Sequence, residues 1–145
     1  MFNRIIVVCT GNICRSPIAE GLLKARLKSR KLDICSAGTG ALVGFPADPL
    51  AVEVAADYGV DISAHRAQQA TLPLLSAMDL VLTLDQSHSD WINSRYPQLR
   101  GRVHKILKWR EDADVADPYR LPKAAFEQAW TDIESGVEDW LEKLG

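Results

Sequence analysis

The feature that most narrows the fold is an unbroken apolar run, Ile5, Ile6, Val7 and Val8, leading through Cys9-Thr10-Gly11-Asn12-Ile13-Cys14-Arg15-Ser16 into Pro17. Four consecutive β-branched residues without polar alternation describe a strand buried on both faces, as in a parallel sheet covered by helices. Ser16 suits a helix N-cap and Pro17 the first helical position. Strand, glycine-bearing loop and helix start together form the first half of a βαβ unit.

The rest of the chain continues that alternation. Ile18, Leu22, Leu23 and Leu27 keep one apolar stripe, which predicts a first helix from Pro17 to about Arg30. A strand follows near Leu32 to Ser36. The stretch from Ala37 to Pro49, punctuated by Gly38, Gly40, Gly44 and Pro46, reads as a long loop, and such loops in compact domains are often functional. Ala51, Val54, Ala55 and Tyr58 mark a helix over about 48–58, with Gly59 as a stop. Strands are expected at 79–84 and 103–107, with a helix over 86–95 between them. Phe126, Trp130, Ile133, Val137, Trp140 and Leu144 recur at steps of three or four, which predicts a final helix over 123–144 with Trp130 and Trp140 as core aromatics. The expected architecture is one α/β domain over residues 1–145, a parallel sheet with helices on its faces.

Seventeen basic and nineteen acidic residues leave a net charge of -2. There is no general attraction for nucleic acid, so an anionic ligand has to be held locally. No apolar stretch approaches the roughly 18 residues of a membrane helix. The opening Met1-Phe2-Asn3-Arg4 lacks a signal-peptide pattern. A cytoplasmic monomer without membrane insertion is expected. Three cysteines, Cys9, Cys14 and Cys35, suit reactive or buried thiols better than a disulfide framework. No metal or cofactor is expected, because Cys9 and Cys14 lack a second ligand pair and no Gly-Lys-Ser/Thr follows the loop.

The chemistry is concentrated in residues 9–16. A cysteine at the end of a buried strand, facing the first amides of a helix, sits in positive potential that favours a thiolate. Thr10, Gly11, Asn12, Ile13 and Cys14 can curl with their amides inward as a nest for a tetrahedral oxyanion, and Arg15 adds a planar fork of charged donors. The ligand this fits is a phosphate dianion. Cys9 below the anion gives in-line attack of sulfur on phosphorus, with the Ser16 hydroxyl supporting the thiolate. Cys9 by itself also reads as a packed strand-end thiol; the combination favours the nucleophile. Cys14 can trap an oxidised Cys9 as a disulfide, or equally can pack beneath the loop. Cys35, in mid-strand, is expected to be buried and inert. Asp117-Pro118 is first of all a turn signal.

Cys9 through Ser16, continued by Pro17-Ile18-Ala19-Glu20, resembles the signature of the low-molecular-weight protein tyrosine phosphatases. Similar segments follow at Ser36-Ala37-Gly38-Thr39, His65-Arg66-Ala67, Asp85 and Asp117-Pro118-Tyr119. The resemblance implies a four-stranded parallel sheet in the order 2-1-3-4 with helices on both faces. It implies catalysis by Cys9 and Arg15, with Asp117 as general acid and later base. It also implies a hydrogen-bond network of Asn12, Ser16, Ser36 and His65, and a supporting Asp85, beside which Gln86-Ser87-His88 departs from the eukaryotic pattern.

Tyr119, with Leu42 or Phe45 from the long loop, is expected to sandwich a phenyl ring. Ile13 stands where phosphoarginine phosphatases of similar fold carry threonine, which points to phosphotyrosine. Arsenate reductases of the same fold need further shuttle cysteines, and Leu80 to Asp90 contains none. A cysteine phosphocarrier would need no general acid. Met1-Phe2-Asn3, Gly40-Ala41-Leu42-Val43-Gly44 and Asp117-Pro118-Tyr119-Arg120 resemble bacterial members associated with capsule or exopolysaccharide production. The implied partner is the cytoplasmic tail of an autophosphorylating inner-membrane tyrosine kinase. Arg120 replaces the second tyrosine of eukaryotic relatives, so phosphorylation control at that position is absent.

Overall fold

In the computed structural model, which describes residues 2–144, the apolar run forms β1 (Arg4–Cys9). It lies inside a four-stranded parallel sheet with β2 (Asp33–Gly38), β3 (Leu80–Thr83) and β4 (Val103–Lys105), in the order β2-β1-β3-β4. Successive side chains of a strand point to opposite faces, so one sheet feeds two cores. Ile5, Val7, Leu80 and Leu82 pack on one face with Ile18, Leu22, Val54, Phe126 and Trp130. Ile6, Val8 and Val81 pack on the other with Leu75, Ile92 and Leu99.

The first core is roofed by α1 (Arg15–Arg26), α2 (Pro49–Asp57) and α5 (Lys123–Leu144). The second is covered by α3 (Leu72–Ser76), α4 (Gln86–Arg95) and a 3₁₀ helix, Pro97–Arg102. Trp130 and Trp140 are core residues, at 1% and 3% exposure. Trp130 stacks on Tyr58 with ring centres 4.7 Å apart, and the Trp140 indole donates to the Ile106 carbonyl at 3.1 Å. α5 comes this close because Gly136 faces Ile106, whose carbonyl oxygen would lie 2.6 Å from an added Cβ.

Several local expectations shift. α1 begins at Arg15 with Cys14 as its N-cap, and no side chain caps it. Ser16 is therefore inside the first turn, its hydroxyl turned to the site. Pro17 is tolerated there because first-turn amides have no intrahelical acceptor. The helix stops at Arg26, where the chain turns through the buried Leu27 to enter β2. α3 was not expected, since five residues are too few to carry a helical period; Thr71 caps it from the Leu74 amide. Cys35 is only half-buried, because β2 is an edge strand and its outer face is incompletely covered. Burial and the neighbouring Glu20 carboxylate still push its thiol up to about 11, so it stays protonated at neutral pH.

β2 ends beside β1 with Gly38 paired to Cys9. A Cβ at Gly38 would lie 2.3 Å from the Thr10 carbonyl oxygen and 3.0 Å from the Asn12 amide. The loop after β1 thus rests directly on the β2 backbone. Gly38→Ala is expected to destabilise the protein by about 2 kcal/mol through overpacking against rigid backbone. The corresponding fall in the thermal midpoint is several degrees; an unchanged midpoint would show that the loop has room to move away.

Candidate active site

Residues 9–14 are arranged by where their carbonyls go. The amides of Thr39, Gly40 and Leu42 donate to the carbonyls of Cys9, Thr10 and Gly11 at 2.9, 3.0 and 3.1 Å. The His65 ring donates from Nε2 to the Asn12 carbonyl at 2.7 Å, and the Asp48 amide to that of Ile13 at 2.7 Å. With five successive carbonyls turned outward, the amides face the cavity. Among the described residues, those of Gly11, Asn12, Ile13 and Cys14 have no protein acceptor. Such a row of unpaired N–H groups before a helix start is an anion site.

Asn12 makes the reversal possible. Its φ of 59° is left-handed, a conformation asparagine adopts at lower cost than most residues. Its Nδ2 donates to Ser16 Oγ at 2.8 Å and to Ser36 Oγ at 2.9 Å, while Oδ1 accepts from the Gln68 amide at 2.9 Å. Ser16 Oγ lies 2.8 Å from Cys9 Sγ. Because that oxygen already accepts from Asn12, its own proton is free for the sulfur. Ser36 in turn donates to Glu20 Oε1 at 2.5 Å. The four residues implied as a network, Asn12, Ser16, Ser36 and His65, are joined here, together with Glu20 and Gln68.

Arg15 is buried with its guanidinium held from behind. Nη1 donates to Asp85 Oδ2 at 2.8 Å and to the Val115 carbonyl at 2.7 Å, and Nη2 lies 3.8 Å from Asp117 Oδ2. Asp85 also caps α4 and accepts from the Ser87 amide and hydroxyl. Burial opposes the charge on Asp85, but the hydrogen bonds from Ser87 and Arg15 outweigh it and hold the carboxyl at about 2. Asp117 is half-exposed at the cavity mouth, its Oδ1 accepting from the Tyr119 amide at 3.1 Å.

The cavity has a volume of about 220 Å³. Cys9, Ile13, Cys14 and Arg15 line it, with Asp117 and the side chains of Leu42 and Tyr119 nearer the surface. Phe45 does not line it. The Phe45 amide closes a turn onto the Leu42 carbonyl and its carbonyl accepts from Ala67, which leaves the ring more than half exposed. Cys14 is buried beneath the loop; burial first, then the Asp48 carboxylate, push its thiol well above the usual range. No group of three or more His, Cys, Asp or Glu among the described residues can hold a metal ion.

Sequence reasoning missed His88. It is 1% exposed, and its Nδ1 accepts from the Asp85 amide at 3.1 Å. The ring proton is therefore on Nε2, which donates to Thr10 Oγ1 at 2.9 Å. The α4 N-terminus thus grips both ends of the loop, Thr10 through His88 and Arg15 through Asp85. The available signal was the capping pattern Asp85-x-x-His88.

Burial lowers the His88 pKa from 6.5 to about 4, against the raising effect of Asp85. Between those values the unfolded chain binds a proton that the folded protein refuses, so stability falls as pH drops through this window. The loss by pH 4.5 is about 2 kcal/mol. Asp85 adds its own loss only at lower pH, from 3.8 toward 2. His88→Asn keeps a donor for Thr10 but cannot titrate. Urea unfolding at pH 7 and pH 4.5 is expected to show a smaller drop for this variant than for wild type; equal drops would remove His88 as the cause.

Residues 4–145 match the profile of the low molecular weight phosphotyrosine protein phosphatases. The EpsP protein of Ralstonia nicotianae, named a probable low molecular weight protein-tyrosine-phosphatase, is 48% identical over 144 residues, 99% of this chain and 97% of that one. Vibrio vulnificus Wzb, solved with benzylphosphonate, superimposes with a TM-score of 0.94 at 38% identity, covering 99% of both chains. A YwlE arginine phosphatase with a phosphorylated active-site serine gives 0.91 at 29% identity, covering 97% of this chain and 95% of that one. With that profile matched over residues 4–145 and a relative 48% identical across nearly the whole chain, the chain belongs to the low molecular weight phosphotyrosine protein phosphatase family.

Proposed function

We propose that the protein hydrolyses phosphotyrosine in other proteins through a phosphocysteine. The observation that carries this reading is Cys9 Sγ, beneath four free amides and 2.8 Å from a hydroxyl with a proton to spare. The phosphate dianion sits on the amides and on Arg15, whose pairing with Asp85 and Val115 fixes the guanidinium in advance. Donors set before the reaction stabilise charge on the equatorial oxygens without reorganising.

The Cys9 thiolate attacks phosphorus as the tyrosyl oxygen leaves and takes a proton from Asp117. A water molecule then attacks the phosphocysteine and gives its proton back to Asp117. Inorganic phosphate departs, and the Ser16 hydroxyl supports the returning thiolate. Leu42 and Tyr119 flank the leaving ring. Fold similarity does not separate phosphotyrosine from phosphoarginine, since a relative named for the latter is nearly as close in shape as one bound to a benzyl compound. Ile13, with no hydroxyl to offer a guanidinium, supports the aryl substrate.

Cys9→Ser is expected to abolish release of p-nitrophenol from its phosphate. Asp117→Ala is expected to slow phosphotyrosyl peptides about 100-fold, and p-nitrophenyl phosphate less, because its leaving group needs the proton less. Equal slowing of both substrates would count against proton donation. The resemblance of residues 40–44 and 117–120 to capsule-associated members supports, as partner in the cytoplasm, an autophosphorylating membrane kinase. Asp117→Ala protein is expected to retain that kinase from host membranes; retention of phosphoproteins without it would refute the partner.

Cys14 supports a further property of the same site. Peroxide converts the Cys9 thiolate to a sulfenic acid, and the Cys14 thiol attacks that sulfur, expelling water and closing a Cys9–Cys14 disulfide. Tandem mass spectrometry after mild peroxide treatment is expected to find the bridge, reversible by dithiothreitol. Sulfinic acid at Cys9 with no bridge would eliminate this protection.

A further inference from the structure

Eight large apolar side chains are exposed among the described residues: Phe2, Leu42, Val43, Phe45, Tyr58, Trp109, Tyr119 and Leu121. Five of them fall on the two loops that wall the catalytic cavity. Exposed apolar residues scattered singly need no explanation, whereas a group gathered around a functional opening marks a contact surface. Val43 is 66% exposed and Phe45 56%, so neither is a core anchor.

The composition of the first loop points the same way. Residues 39–47, Thr-Gly-Ala-Leu-Val-Gly-Phe-Pro-Ala, contain no charge in a chain that is 25% charged. A loop meant only for water would carry its share of charge. Its backbone is also fixed. Leu42 donates to Gly11, Gly44 to the Ala67 carbonyl and Phe45 to Leu42, while Phe45 accepts from Ala67. On the second loop, which brings Asp117 and Tyr119 to the cavity, the Leu121 amide closes a turn onto the Pro118 carbonyl. Arg120 holds a left-handed φ of 65° with its guanidinium 5.3 Å over the Tyr119 ring. Both apolar ledges are set before anything binds, which lowers the entropy lost on docking.

The occupant follows from position. A polypeptide that delivers a phosphorylated ring into this cavity has to lay its neighbouring residues, about 3.3 Å apart in an extended chain, on the surrounding rim. We infer that Val43, Phe45 and Leu121 form a docking rim for the substrate polypeptide, which selects phosphotyrosines flanked by large apolar residues. The inference rests on the phosphotyrosine reading and adds the class of protein substrate to it. A single apolar contact of this kind discriminates by roughly tenfold or more.

The test uses two phosphotyrosyl peptides of equal length and net charge, one with leucine and valine beside the phosphotyrosine, the other with glutamine and serine. p-Nitrophenyl phosphate, which reaches the cavity but not the rim, serves as reference. Wild type is expected to favour the apolar peptide by about tenfold in kcat/KM, mainly through KM. The double variant Val43→Asp/Leu121→Asp is expected to lose that preference while p-nitrophenyl phosphate turnover stays at the wild-type rate. Equal rates on the two peptides in wild type, or a preference that survives in the variant, overturn the proposal. So does a variant that loses p-nitrophenyl phosphate and peptide turnover alike, since the residues would then act through the cavity itself. Concentration-dependent self-association in the ultracentrifuge, abolished by the same double variant, would assign the rim to a second copy of this chain instead. Failure of wild type on all three substrates would sink the phosphatase reading itself.

Discussion

The anion-sized cavity at the end of β1 depends on one backbone inversion: after Cys9 the chain points five carbonyls outward and its amides inward. Amides in that arrangement repel one another electrostatically and are individually costly to bury without partners. The fold holds them there by giving every displaced carbonyl a donor from outside the loop. Four come from the connection after β2, through Thr39, Gly40, Leu42 and Asp48, and one from His65. The oxyanion site is thus built by the neighbours of the loop more than by the loop itself, and the long connection at 39–48 is its outer wall.

The second constraint is charge. Arg15 is almost wholly buried, and a buried cation without partners is strongly destabilising. Asp85 and the Val115 carbonyl take two of its donor directions, leaving the rest of the fork for an anion. Asp85 can stay ionised at this depth because Ser87 and Arg15 both bond it. His88, kept neutral by burial, adds a grip on Thr10 without adding charge. A protonated His88 beside Arg15 would place two cations under one small loop.

The parts of the molecule legible in the sequence are those where one physical pattern acts over a short span. β1 is readable because four successive β-branched residues favour extended backbone, and α5 because its apolar spacing, from Phe126 to Leu144, runs for about five turns. The nest was readable because strand, glycine, arginine and helix start lie within a few residues. What distance assembles was harder to read. Asp117 approaches Arg15 from the far end of the chain, and only a resemblance gave it a role. Leu42 and Phe45 read as alternative walls for a phenyl ring; Leu42 lines the cavity with Tyr119, while Phe45 lies outside it, more than half exposed. Ser16 reads both as a helix cap and as a hydroxyl for the Cys9 sulfur; the hydroxyl lies 2.8 Å from that sulfur, while the helix begins one residue earlier and has no side-chain cap. His88 escaped notice because a local helix-capping pattern concealed a long-range bond to Thr10.

Gly38 has a consequence for how the protein comes to be active. The loop rests on the end of β2, and β2 reaches β1 only after the chain has passed through α1 and closed a parallel crossover. Parallel pairing closes late compared with local helix formation, because chain entropy is lost before contacts compensate for it. A nascent chain that has made β1 and α1 therefore owns every residue of the signature yet has no anion site. Competence arrives with the docking of β2 and its trailing loop, which makes the birth of the site a cooperative folding event and not a local one.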